Sequence, residues 1–271
     1  METKKYNYLS DYADSMRSNG RYTFTSDELH ENLSTSKNAI KKSVQRLKEK
    51  REIAKVRNGF YVIIPPEYRR KGMLPPMLFV KELMKFLKRD YYVCLINAAA
   101  LLGASHQQPQ EFFVMTTKPV MLPIRSPQLK INFIYRKKWS PLDVMEKKTE
   151  TGMIKLSTPE LTALDLVNYY DRAGGLNRVA TVLEELSERL DAERLAAVAT
   201  RYEQVAPVQR LGYLLENILG KNKLTGPLGN YLAGINYFPI PLRPTTDKSG
   251  PQATDNRWKI IPNTQIETDD L

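Results

Sequence analysis

Ser36, Lys37, Asn38, Lys41, Lys42 and Gln45 fall at spacings that bring them to one side of a helix. Lysine ammonium groups neutralise phosphates. The amides of Asn38 and Gln45 can pair twice with the edge of an adenine, each good pairing giving about 1–3 kcal/mol of base discrimination. On the other side Ile40, Val44 and Leu47 take positions i, i+4 and i+7, a narrow apolar stripe for burial. A basic helix alone can equally be a solvated face. The following stretch favours a nucleic-acid role: "EIAKVRNGFYVII" is rich in β-branched and aromatic residues and centres on Asn58-Gly59. Asn-Gly predicts a hairpin closed by a type I′ turn, with positive φ at both central residues. Lys55, Arg57 and Asn58 then stand on or beside its tip, completing a candidate DNA-contacting set with the six helical residues.

Catalytic chemistry finds no comparable pattern. The two histidines, His30 and His106, and the one cysteine, Cys94, give no zinc spacing and no His-based triad. "GASHQQPQEFFVM" invites comparison with nucleotidyltransferases, but after Gly103-Ala104-Ser105 only Glu111 offers a carboxylate, and two-metal chemistry needs a second. Asp143, Glu146 and Lys147 crowd together in "LDVMEKK" and read as a solvated helical turn. Asp165 lies between apolar neighbours, and with Arg210 it forms either a buried structural pair or part of a binding site. No glycine-rich phosphate loop is present. No catalytic residue, metal or cofactor is therefore expected.

The elements that must position the DNA-contacting set are three helices and a ribbon. Leu9, Tyr12, Ala13 and Met16 mark a first amphipathic helix, ended near Gly20. Thr25 or Ser26 caps a second, short helix with Asp27 and Glu28 in its first turn, and the serines and threonine of "STS" cap the third. Three helices, the last basic, followed by a hairpin, is the order of a winged helix-turn-helix. "IIPPEYRRKGMLPP" reads as a linker, so a DNA-binding domain is expected at residues 1–70 and a larger domain at 71–271. The larger one holds a helix in "MLFVKELMKFLKR", strands in "EFFVMTT" and "KINFIYRK", and a helical bundle beginning at Thr158-Pro159. A proline- and threonine-rich tail contains an ordered "RWKII" arm and an acidic end. The fold class is mixed α/β, mainly α.

The 271 residues carry a net charge of +11, and residues 1–72 hold 16 basic against 9 acidic side chains, so most of the excess accompanies the candidate reader. The start lacks the apolar core of a signal peptide, the apolar part of residues 91–110 is too short to span a membrane, and one cysteine forms no intrachain disulfide. A cytoplasmic protein without membrane contact is expected.

The segments "RNGFYVI", "YYVCLINAAALLGASHQQPQEFFV", "LSTPELTALDLVNYYDRAGGLNRVATVLEEL", "QRLGYLLE" and "RWKIIPNTQIETDDL" together resemble the AbiEi family, abortive-infection antitoxins of type IV toxin–antitoxin systems. The resemblance implies an N-terminal winged helix that binds inverted repeats in its own promoter and represses it. It also implies a C-terminal domain that counters a nucleotidyltransferase-like toxin without a stable complex. DNA contacts would fall on Lys37, Asn38, Lys41, Lys42, Lys55 and Arg57, with two copies sitting cooperatively on repeated half-sites. The alternative is an adaptor whose basic helix binds an acidic protein, or the toxin itself.

Overall fold

The structure is a computed structural model that describes residues 8–104, 109–244, 254 and 256–267. Ser105, His106 and the acidic end from residue 268 lie outside the described residues. The fold is mixed α/β, with ten α-helices among the described residues. The chain divides into two compact units: Met1–Tyr91 with Gln110–Tyr135 and Glu146–Lys155, and Tyr92–Pro109 with Arg136–Met145 and Leu156–Leu271.

The first unit opens with α1 (Tyr8–Ser18), β1 (Thr23–Thr25), α2 (Ser26–Asn32), α3 (Lys37–Glu49), β2 (Ile53–Arg57) and β3 (Phe60–Ile63). Thr25 caps α2 in a reciprocal box, its hydroxyl accepting from Glu28 N and its own N–H donating to the Glu28 carboxylate. Ser36 caps α3 by accepting from Ala39 N. The strands form an antiparallel sheet in the order β1-β3-β2, with Thr25 opposite Phe60 and Ile53 opposite Ile63. The apolar stripes converge as the spacing predicts: Leu9, Ala13, Leu29, Ile40, Leu47 and Ile53 pack around Phe24, whose ring stacks on Tyr61 at 5.3 Å between centroids. Burying one such aromatic contributes about 2–3 kcal/mol.

Two expectations change here. Gly59 adopts φ +79°, but Asn58 does not enter the left-handed region, so the turn is not type I′. A register shift between Lys55 and Arg57 supplies twist that the primed turn would otherwise provide. The proline-rich stretch after β3 is packed, with Ile64, Met73, Leu74 and Leu78 buried around two 3-10 turns, Pro66–Tyr68 and Pro76–Leu78. The second turn takes the beginning of the expected helix, leaving α4 (Val80–Phe86) shorter.

A six-stranded sheet follows, built from β4 (Tyr91–Val93), β5 (Phe112–Thr116), β6 (Ile124–Ser126), β7 (Leu129–Tyr135), β8 (Val144–Thr149) and β9 (Gly152–Ser157) in the order β6-β7-β5-β4-β9-β8. The strand-like runs in "EFFVMTT" and "KINFIYRK" are β5 and β7, parallel from Phe112 opposite Ile131 to Thr116 opposite Tyr135.

In the second unit, α6 (Pro159–Asn168) is surrounded by α5 (Leu95–Leu101), α7 (Leu176–Leu186), α8 (Ala192–Arg201) and α9 (Val205–Tyr213). Glu160 through Val167 are all buried, which explains why its sequence is apolar on most sides. Thr158 caps it and Pro159 starts it, as expected. A π-helical segment, Leu214–Ile218, and α10 (Gly226–Ala233) complete the bundle. The tail is anchored by Trp258, fully buried, and by a parallel pairing of β10 (Ile240–Pro241) with β11 (Ile260–Ile261). Gly212 is required there, because a Cβ at that position would lie 2.1 Å from the Trp258 ring.

Candidate functional site

The exposed side of α3 and the neighbouring strands enclose an open groove of about 750 Å³, lined by Asn38, Lys41, Lys42, Val44, Gln45, Arg46, Lys48, Glu49, Lys55 and Tyr61. Lys55 and Tyr61 are direct cross-strand partners, which sets a strand-borne cation beside the helix-borne ones. Five predicted residues therefore share one surface: Asn38, Lys41, Lys42, Gln45 and Lys55. Ser36 and Lys37 are exposed at the start of α3, outside the groove lining. Gln45 donates to Glu49 at 2.8 Å, an intrahelical bond that holds its amide in place. Sequence reading missed Arg46, Lys48 and Tyr61. Alternation along β3 gave no signal for Tyr61, since it places Tyr61 on the same face as the core residue Ile63, two positions on; the partly buried ring packs against the core and also lines the groove.

The hairpin tip is engaged more closely than a free wing. Ser26 N donates to Gly59 O at 2.9 Å, and a Cβ on Gly59 would touch Phe86 at 3.5 Å. Arg57, expected to face phosphate, instead donates to Leu122 O at 2.6 Å and lies over the Phe133 ring at 5.8 Å. Asn58 accepts from Lys55 Nζ at 3.1 Å, so these two exposed residues form the solvent side of the tip.

A second cluster lies in the other unit. Asp165, fully buried on α6, accepts from Tyr92 Oη, Tyr202 Oη and Arg136 Nη1, each at 2.9 Å. Arg136 Nη1 also reaches Tyr92 Oη at 3.2 Å, and its guanidinium lies 4.2 Å from the Tyr202 ring centroid. Burial pushes the Asp165 carboxyl above its usual value, opposed by Arg136 and the hydroxyl donors. Burial also pulls Arg136 down, but Asp165, Tyr92 and Tyr202 more than reverse this, so the guanidinium holds its proton firmly. The Tyr92 and Tyr202 phenols are pushed well up, first by burial and then by Asp165. The pairing of Asp165 with Arg210 is corrected: Arg210 donates to Pro241 O and Leu242 O and holds the tail.

The remaining candidate carboxylates are structural. Glu111 bonds Asn132 and Arg125 and lies 3.7 Å from Lys130, and these donors, the Asn132 amide first, keep its carboxyl below the usual range. Asp143 is buried against Arg201, while Glu146 and Lys147 are exposed on β8, a strand where a helical turn was expected. Among the described residues no group of three His, Cys, Asp or Glu side chains could hold a metal ion, and no helix is long and apolar enough to cross a membrane.

Residues 91–217 match the family model of the AbiEi antitoxin C-terminal domain. Comparison with curated protein sequences gave no match. The crystal structure of the RV2827C protein from Mycobacterium tuberculosis is similar with a TM-score of 0.66 at 14% identity, over 93% of this chain and 90% of that one, and so shares the fold. An antigenic nucleotidyltransferase-like protein from Paracoccidioides brasiliensis covers 56% of this chain and 90% of its own at 12% identity, with a TM-score of 0.33, too low to indicate a common fold.

Proposed function

We propose, from the match of residues 91–217 to the AbiEi antitoxin C-terminal domain, that the chain is the antitoxin and autorepressor of a type IV toxin–antitoxin operon. Residues 1 to about 70 would act as a winged helix-turn-helix on inverted repeats of its own promoter, with one copy per half-site. The remainder would counter a nucleotidyltransferase-like toxin without forming a stable complex with it.

The observation that carries the DNA-binding half is the groove in which Lys41, Lys42, Arg46, Lys48 and Lys55 surround the amides of Asn38 and Gln45. The cations supply affinity for phosphate, and the amides supply base readout. The order α1, β1, α2, α3, β2, β3 supports the winged-helix assignment. The inward engagement of Arg57 shifts the expected phosphate contacts toward Lys55.

Titration of the protein with duplex DNA from upstream of its own gene, beside a scrambled duplex, tests this. Neutralising about five phosphates gives a slope of log affinity against log salt near −4.5. Lys41→Ala is expected to weaken binding on both duplexes and to lower the slope by about one, whereas Asn38→Ala should narrow the preference for the native duplex. A flat salt response, or equal affinity for both duplexes, would sink the repressor reading in favour of the protein adaptor.

A further inference from the structure

We propose that the loop between β5 and β6 is an apolar wedge for the DNA minor groove, with Val120 and Leu122 inserted at a base step beside the half-site; this deepens the promoter-binding reading and rests on it. The two side chains are 70% and 78% exposed and stand two positions apart in "KPVMLP". One exposed leucine would need no explanation, but here the display is built. Arg89 Nη1 donates to Lys118 O at 3.0 Å and Arg57 Nη2 donates to Leu122 O at 2.6 Å, so a guanidinium grips the backbone at each end of the loop. Pro119 and Pro123 stiffen the same stretch by fixing φ. Ile124, next along the chain, is buried, a course that Val120 and Leu122 do not take.

The loop's position names the partner. Lys55 lines the α3 groove and donates to Asn58 at the hairpin tip, and Arg57, between them in sequence, holds Leu122. An unbroken line of contacts thus runs from the groove through the wing to the loop. With α3 in a major groove and the wing over the neighbouring backbone, the next feature of the duplex is its minor groove. Minor-groove proteins insert leucine, methionine or proline there to open a base step. Charge points the same way: residues 112–135 carry Lys118, Arg125 and Lys130 and no acidic side chain. Glu111, just before this stretch, is met by Arg125 and Lys130 together, so the surface stays cationic. A polyanion complements it, whereas a second copy would bring the same cations against these.

Duplex DNA from upstream of the gene would be titrated over a salt series with full-length wild-type protein, Leu122→Ser and Val120→Ser. Each complex would also be footprinted with hydroxyl radicals, which attack the sugars from the minor groove. Both substitutions change exposed side chains and leave the backbone bonds to Arg57 and Arg89 in place. Leu122→Ser is expected to weaken binding about tenfold, the size of one leucine lost from an apolar contact. The salt slope should not change, because an apolar contact releases no counterion. Protection of one minor-groove stretch beside the half-site should disappear with it. Unchanged affinity and footprint in both variants, while the wild-type protein prefers its own duplex, would overturn the wedge and leave the repressor reading standing. Wild-type protein with no duplex preference fails that reading first, and the wedge with it. Self-association of the DNA-free protein that Leu122→Ser abolishes, measured by sedimentation, would assign the loop to a second copy and overturn the proposal.

Discussion

At the residue scale the most consequential group is Asp165. A carboxylate with no solvent exposure is tolerated because two phenol donors and one guanidinium meet it. Arg136→Ala would leave that carboxylate buried without its countercharge, and a loss of about 3–5 kcal/mol in unfolding free energy is expected, read from denaturant midpoints. A loss below about 1 kcal/mol would mean that the two phenols alone satisfy it. Asp165 was recognisable in the sequence as an anomaly, an acidic residue among apolar ones. Its partners were not, since Arg136, Tyr202 and Tyr92 lie 29, 37 and 73 residues away along the chain. Periodicity reports which face a residue occupies and carries no information about contacts at such separations.

At the element scale, what was legible had a local cause. The three N-terminal helices follow their apolar spacing and their caps, and Thr158-Pro159 starts α6 for the same reason. What was misread depended on packing: the turn at Asn58-Gly59 is set by the bulge in β2 and by Phe86, and Asp143 is drawn into a bond with Arg201. The tail shows packing from the other side. Gln209 donates to Phe238 O and Trp258 O, and Arg210 to Pro241 O, so two consecutive residues of α9 hold the arm that Gly212 admits. Gly212→Ala must therefore displace the Trp258 ring. The expected cost is about 1–3 kcal/mol, with a red shift of tryptophan emission as the ring meets water. An unshifted spectrum would show that α9 yields in place of the arm.

At the scale of the whole molecule, its tyrosines set an upper limit in pH. Burial pushes Tyr91 up to about 12, and Tyr92 and Tyr202 are raised well above their ordinary value. In the unfolded chain these phenols ionise near pH 10, while the native protein still holds their protons. Their contribution to stability is thus fully present below about pH 10 and is lost as pH rises toward the native values, by up to about 1.4 kcal/mol per pH unit for each phenol. Urea midpoints measured between about pH 8 and about pH 11 should fall on the alkaline side, and less steeply in Tyr202→Phe. A midpoint that does not change over that range would contradict the burial of these rings.

The chain has two tryptophans, and both belong to the second unit: Trp258 beneath the tail, and Trp139 edge-on to Tyr92 at 5.1 Å beside the Arg136 centre. The first unit, with its groove, has tyrosine as its only strong fluorophore. Light selective for indole therefore reports on the second unit alone. A label on a DNA duplex would test the proposed binding at the groove, so the two units can be followed at two wavelengths in one unmodified protein.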